Sequence, residues 1–438
     1  MKVHFQHAMT TALLFAAFTF ASFQLEAKSL TLDEALQLGL QNSPKVQKAK
    51  AASEEAHWKK VEAYGGFLPS VSVSAQHLFS KQYQFLDVNL GAGATTIPQV
   101  IPSNSWSLNA NLPLFDGFSS VNRSRAASLV EEAADNDYQW SRLQAEKEIQ
   151  LKFAQALAAQ KLKSVSQQNL TTLNEHLAQA KALRKGGAAT SYDVLRVEVQ
   201  LNEAQSEVLK TEDDAFIARE RLAQALGIEE SIETLSGELA IPRVDQIQKL
   251  KRESLTDRKD LLALEQRTES ADKLDSAAHS YWVPKVALAG SWISYNNRND
   301  AIEDQAAYRW AYTVGLTLNW NIFDIGSIAR SQQSIYQKVQ AEKSLTLAKQ
   351  ASSVDFDFWK RRSIYSATLY KAKLSDVEKA QETVRLAKES YRAGVRTSSD
   401  VLDSELELFR ARAGVVNAEL GFSDALINLE LSIGGDLK

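Results

Sequence analysis

In YRAGVRTSSDVLD, residues 391–403, Asp400 and Asp403 stand three apart, so a helix through this segment carries both carboxylates on one face. Asp400 also completes a Thr397-x-x-Asp400 pattern after a glycine turn, and Asp193 does the same with Thr190 in TSYDVL. Such a pattern caps a helix start, because hydroxyl and carboxylate satisfy N–H groups that have no partner inside the helix. Capping explains Asp193 and Asp400; it does not explain Asp403. Asp116 and Asp324, in FDGF and FDIG, read as turn or helix starters where an extended segment passes into a helical one. No catalytic set accompanies them. His4, His7, His57, His77, His176 and His279 are scattered, and no HExxH, GxSxG or GxxxxGK motif occurs. The absence of cysteine excludes disulfides, thiolate metal sites, cysteine nucleophiles and lipid attachment through a thiol. The expectation is a protein that is not an enzyme and needs no cofactor.

The 438 residues carry 50 Lys and Arg against 54 Asp and Glu, a net charge of -4. With no basic excess there is little to displace counterions from a phosphate backbone, so no nucleic-acid partner is expected. Residues 1–27 open with Lys2, run through the apolar stretch Ala12 to Phe23 and close on Leu25-Glu26-Ala27, the pattern of a secretory signal peptide. The apolar run is shorter than the ~20 residues of a membrane helix, and no later run reaches that length.

Residues 118–185 and 327–393 contain neither Gly nor Pro, giving stretches of 68 and 67 residues rich in Ala, Leu, Gln, Glu and Lys. At ~1.5 Å per residue each is a helix about 100 Å long. Rods of that length need partners along their course, and the small residues at Ala126, Ala133, Ala154 and Ala158 suit close coiled-coil packing. AKALRKGGAATSYDVL from Ala180 matches AKESYRAGVRTSSDVL from Ala387 at an offset of 207. FLPSVSVSA and NLPLFDGF have their own later counterparts around Pro284 and Phe323. The expected division is therefore a first repeat at 28–238, with helix 31–64, strands 68–85 and 105–115, long helix 118–185 and helix 190–226. A linker follows at 239–255. The second repeat is 256–438, with helix 256–281, strands 283–295 and 309–323, long helix 326–393 and helix 397–433.

The four strand segments alternate apolar and polar residues, as in Trp106, Leu108, Ala110 and Leu112 against Ser107, Asn109 and Asn111. Polar loops at 86–104 and 296–309 would join each pair. A soluble sandwich is one home for such strands. Between two rods, however, there is no further layer to cover the apolar faces, whereas lipid could, and the runs approach the ~9–11 residues of a tilted membrane strand. Inside a bilayer a sheet must close on itself, and single-chain bacterial barrels begin at about eight strands, so four strands force oligomerisation. Two copies would supply eight strands and three would supply twelve; strand arithmetic does not choose.

LTLDEALQLGLQNSP, FLPSVSVSA, NLPLFDGF, their second-half copies and YRAGVRTSSDVLD together resemble the TolC family of outer-membrane efflux proteins, over essentially residues 28–438. The resemblance implies a mainly α fold with a small transmembrane β part: a long α-helical coiled-coil barrel in the periplasm, and four strands per chain contributing to a shared 12-stranded β-barrel in the outer membrane. It implies a homotrimer that works with a periplasmic adaptor (a membrane fusion protein) and an inner-membrane pump of RND, ABC or MFS type. Such an assembly exports small toxic compounds or, in type I secretion, polypeptide. It also implies residue roles: Asp400 and Asp403 as an entrance aspartate ring, and Tyr391, Arg396 and Asp193 as a latch holding that entrance shut. Six carboxylates around a narrow opening favour cations and repel anions. The first half carries Arg184, Ala189 and Arg196 opposite Tyr391, Arg396 and Asp403, so only the second half has the full set. The alternative is a soluble periplasmic coiled-coil adaptor or scaffold, whose strands would bury both faces in protein.

Overall fold

The computed structural model describes residues 29–80, 83–89, 91, 93–187, 189–229, 231–239, 244–251, 258–296 and 308–437. The signal peptide expected at 1–27, much of the expected loop at 296–309 and parts of the 239–255 linker lie outside them. α1 (Leu32–Asn42) begins at Thr31, which exchanges hydrogen bonds with Glu34 in a capping box. A single helix over 31–64 does not form. Pro44 lacks an N–H and pushes Ser43 out of helical geometry (φ -59°, ψ 116°), so α2 (Pro44–Tyr64) starts afresh.

The expected strand 68–85 is likewise two elements, β1 (Ser70–His77) and β2 (Tyr83–Asn89). β2 pairs antiparallel with β3 (Ala94–Val100), so a hairpin occupies the stretch expected to be loop. Gly91 and Gly93 supply its positive-φ turn, and Thr96 Oγ1 donates to Asp87 Oδ1 across the strands at 2.5 Å. β4 (Asn104–Phe115), β5 (Lys285–Asn296) and β6 (Tyr308–Asn319) join β1 in a separate antiparallel sheet of order β1-β4-β5-β6.

Register keeps the faces of that sheet uniform. Ser72, Asn109, Ser291 and Thr313 lie side by side across the four strands, and Ser291 Oγ donates to Asn109 Oδ1 at 2.9 Å. One residue along, Val73, Leu108, Trp292 and Tyr312 form the neighbouring row, on the opposite face by the pleat. Among the described residues nothing covers the apolar face: Val314, Leu316 and Leu318 remain 71%, 70% and 67% exposed.

Each inner strand leads into or out of a helix. α3 (Ser119–Lys185) follows β4, and the Asp116 carboxylate accepts from Ser120 N at 2.7 Å just before it. α6 (Lys259–Ala278) leads to β5, and α7 (Ile325–Arg392) follows β6, capped by Asp324 on the N–H groups of Gly326 and Ser327. α4 (Ser191–Leu226) and α8 (Ser398–Ile433) return alongside α3 and α7 and stop at left-handed Gly227 and Gly434.

The rods pack through small residues. Ala126, Ala133, Ala156, Ala158 and Ala367 are buried, together with Ser166, Ser270, Ser352, Ser363 and Ser423. A buried serine fits a close contact because its hydroxyl finds a nearby carbonyl: Ser363 Oγ reaches Ala425 O at 3.0 Å and Ser270 Oγ reaches Ala126 O at 3.0 Å. Larger side chains gather midway along, where Ile149, Phe153, Leu157, Leu222 and Leu226 meet Leu235 and Leu239, and Phe356 and Phe422 meet Ile247 of the short α5 (Val244–Lys249). There Lys147, 2% exposed, donates to Glu430 Oε2 at 2.7 Å and to Asp436. Burial works against the ammonium, and the two carboxylates outweigh it, raising its pKa above the ordinary value. Lys147→Met removes the cation and leaves the partly buried Glu430 without its ion pair; it should cost about 2 kcal/mol. Thermal unfolding in detergent reads this, and an unchanged Tm would mean the bonds carry little of the stability.

Candidate gate at the tips of the long helices

Both long helices end in the same turn. Gly187 and Gly394 each take φ +76°, open to glycine and strained for other residues. Thr190 and Thr397 then adopt matching extended geometry and open α4 and α8. Asp193 Oδ2 accepts from Thr190 N at 2.8 Å and Thr190 Oγ1 at 2.7 Å, and Asp400 Oδ2 accepts from Thr397 N and Oγ1, both at 2.8 Å. These bonds hold both carboxyls below the usual aspartate range, through the Thr190 hydroxyl first for Asp193 and the Thr397 N–H first for Asp400. Both aspartates are therefore helix caps. Each cap uses only one carboxylate oxygen.

Asp403 is placed differently. It lies exposed one turn further along α8, and Arg196 Nη2 on α4 donates to its Oδ1 at 3.2 Å, while Arg196 Nη1 donates to Ser399 Oγ. This bond ties the first half of the chain to the second. Tyr391, Arg396 and Asp193 line one groove of about 1010 Å³ between the two turns, yet among the described residues no ion pair joins Arg396 to Asp193. The cross-link present at this level is Arg196 to Asp403.

A second link was not foreseen from sequence. His176 on α3 and Glu405 on α8 are both buried, at 7% and 6% exposure. His176 Nδ1 meets Glu405 Oε2 at 3.2 Å, its Nε2 meets Ser398 Oγ at 3.2 Å, and Lys388 on α7 donates to Glu405 Oε1 at 2.8 Å. Burial by itself would raise the pKa of Glu405, but the bonds to His176 and Lys388 outweigh it and hold the carboxyl below the ordinary range. The partners lie 229 residues apart, and the only trace in the sequence is that Lys388 and Glu405 repeat Lys181 and Glu198. Among the described residues no group of His, Asp or Glu is arranged to hold a metal ion, and no helix is long and apolar enough to cross a membrane.

A membrane-facing sheet on paired rods that end in capped, cross-linked turns is the build of an outer-membrane tunnel, and the sequence profile agrees. Residues 35–228 and 250–435 match the outer membrane efflux protein family, and the chain belongs to that family, which places it in the outer membrane. It is 24% identical over 416 residues to the pyoverdine export outer membrane protein OpmQ of Pseudomonas putida, a match covering 92% of this chain and 86% of that one. With outer membrane protein OprJ of Pseudomonas aeruginosa it shares 24% identity over 283 residues, 62% of this chain but only 57% of OprJ. The fold resembles the solved outer-membrane channel OprN at a TM-score of 0.76 and 21% identity, covering 93% of this chain and 90% of that one. The mainly helical build with a small sheet matches this channel-tunnel fold, and a soluble adaptor or scaffold is set aside.

Because the folded pKa of Glu405 is depressed, its stabilisation is fully present above the ~4.3 of an unfolded glutamate and is lost as pH falls through the lower folded value. Glu405→Gln should therefore lower Tm at pH 7 and flatten the loss of stability below about pH 4.5. A melting series from pH 7 to pH 3 checks both, and an unaltered acid slope would mean that the carboxylate contributes no linkage.

Proposed function

We propose that the chain is the outer-membrane exit channel of a tripartite export assembly, three copies closing a single tube. The observation that carries this is one order of elements with two open ends, repeated at three levels. In the sheet the order is β1-β4-β5-β6, and among the described residues β1 and β6 are unpaired at their outer edges. Next to the sheet the packing runs α2, α3, α6, α7; at the far end it runs α4, α3, α8, α7. Each level is an arc whose open ends are a first-half element and a second-half element.

The open ends are greasy where solvent should meet polar side chains. α4 exposes Tyr192, Leu195, Val199, Leu209 and Phe216, and α7 exposes Leu347, Val354, Phe358 and Tyr365. Spacings of three, four and seven along these stripes are those of a coiled-coil seam. Both stripes lie on helices at the open ends of the arc, the α4 stripe nearer the tips and the α7 stripe nearer the middle, so both are covered if copies follow head to tail, and the same step brings β6 of one copy beside β1 of the next. Such heterologous contacts close into a ring. In lipid that closure is required, since an unpaired strand edge is not tolerated there. Three four-stranded arcs make twelve strands, within the range of bacterial barrels, and the TolC resemblance favours three over two. The polar row Ser72, Asn109, Ser291 and Thr313 then lines a water-filled lumen, and the apolar row faces lipid.

The tips form the inner entrance, where a periplasmic adaptor and an inner-membrane pump of RND, ABC or MFS type would engage. Asp400 and Asp403 of three copies would surround it with six carboxylates, although Arg196 offsets the charge of each Asp403. Tyr391, Arg396 and Asp193 line the same groove, which supports their acting as a latch in the assembled ring. The exported cargo is small toxic compounds or polypeptide.

Light scattering of the detergent-purified protein, corrected for bound detergent, should give three chains per particle; a detergent-free soluble monomer would end the channel reading. Asp400→Ala with Asp403→Ala should leave the oligomer intact and weaken block of bilayer conductance by multivalent cations, and unchanged block would remove the aspartate ring. Arg396→Ser should raise resting conductance, and equal conductance would count against the latch.

A further inference from the structure

The two helical hairpins, α3 with α4 and α7 with α8, carry the same rung near their tips. Lys181 meets Glu198 at 2.9 Å in the first, and Lys388 meets Glu405 at 2.8 Å in the second, residue for residue at the offset of 207. The rungs differ in what covers them. The Glu405 side chain is 6% exposed and that of Glu198 is 39% exposed. Glu405 is covered by α3, which packs on α8 within the chain and sets His176 on Glu405 and Ser398, whereas Glu198 lies on α4 at the open end of the arc. At the same offset the residue of α7 that corresponds to His176 is Thr383, which is exposed.

This asymmetry matters in a ring. A ring of copies has two kinds of seam at the tip: α3 against α8 within each chain, and α7 against α4 of the next copy. By the repeat, the second seam sets Thr383 where the first sets His176, opposite Glu198 where the first has Glu405. We propose that His176 makes the two seams unequal. It locks the seam within each chain, so the entrance opens by parting the seams between copies. The inference rests on the ring proposed above.

The chemistry of the imidazole suits a permanent lock. Nδ1 faces a carboxylate oxygen, which can only accept, so Nδ1 carries a hydrogen. Nε2 faces a hydroxyl, which donates to a bare nitrogen or accepts from a protonated one. Both bonds therefore survive a change in the protonation of the ring. Threonine is too short to reach across in the same way and brings no second nitrogen. Further up the same seam Lys161 meets Glu419 at 3.0 Å and Arg412 meets Gln168 at 2.9 Å, so the seam within the chain is tied at several heights.

The test uses the full-length protein in planar bilayers, with reciprocal exchanges. His176→Thr removes the lock and should raise the open probability at rest about tenfold, the equivalent of one charge-assisted buried hydrogen bond. Thr383→His, at a position that is exposed within the single chain, should add a lock between copies and lower open probability by a similar factor. The chain has no cysteine, so engineered pairs report without background. Bridging Thr383→Cys to Glu198→Cys with a short bismaleimide, which spans the reach of the side chains it replaces, should yield covalent oligomers on a denaturing gel and hold the entrance shut. Bridging Gln168→Cys to Arg412→Cys with the same reagent should link within one chain and leave opening as before, because the Gln168 and Arg412 side chains meet across that seam. The proposal is overturned if Thr383→His leaves open probability unchanged, if the cross-link between copies leaves opening intact, or if the cross-link within the chain abolishes it. A single chain per particle by mass would instead reject the ring, independently of how the seams behave.

Discussion

Every backbone N–H and C=O in the sheet must find a partner without the help of water wherever lipid surrounds it. That one requirement organises the molecule. Four strands pair with each other and leave β1 and β6 with open outer edges, which no other described strand pairs with. The chain can satisfy itself along its length but not around its circumference. The helices share the condition in a milder form, because the cost there is exposed apolar surface on α4 and α7 and not unpaired backbone.

Packing along the rods follows a different logic from that of a globular core. A helix of 67 residues presents too much side to be covered by one compact cluster, so the contact is made shallow and continuous, with Ala and Ser admitting close approach. Bulky residues are confined mainly to three places: the middle, where the segment after α4 and α5 lean against the rods; the stretch of α3 and α4 nearer the tips; and the outward stripes. Gly39 shows how tight the middle is. A Cβ there would stand 2.5 Å from Ile149 Cδ1 and 2.9 Å from Leu226 Cδ2, so α1 approaches through its backbone.

Much of this was legible in the sequence because its signals are local. The Gly-free and Pro-free runs delimit α3 and α7, and the capping patterns at Thr190 and Thr397 mark the starts of α4 and α8. Two local signals were available and misread. Pro44 within the expected 31–64 helix marks a break, and the glycines at 91 and 93 ahead of Thr95 and Thr96 mark a hairpin turn. What the sequence could not offer was contact between distant residues on smooth helical faces. His176 meeting Glu405, or Arg196 meeting Asp403, depends on the rotation of α3 and α4 against α8, and no spacing rule encodes that rotation. Capping and ion pairing also compete for the same acidic residues, so a motif that names Asp193 and Asp400 does not decide their partners.

The turns at the tips are self-contained: glycine, threonine and aspartate within each satisfy the backbone groups that a helix end leaves over. Their hydrogen bonding asks nothing of the neighbouring hairpin. The secondary structure of a hairpin is therefore independent of how it sits against the next, and only side-chain contacts such as those of His176 and Arg196 set that placement. The fit of one hairpin against another is thereby set by a handful of replaceable side chains, and substitutions among them can alter that fit without unravelling either helix end.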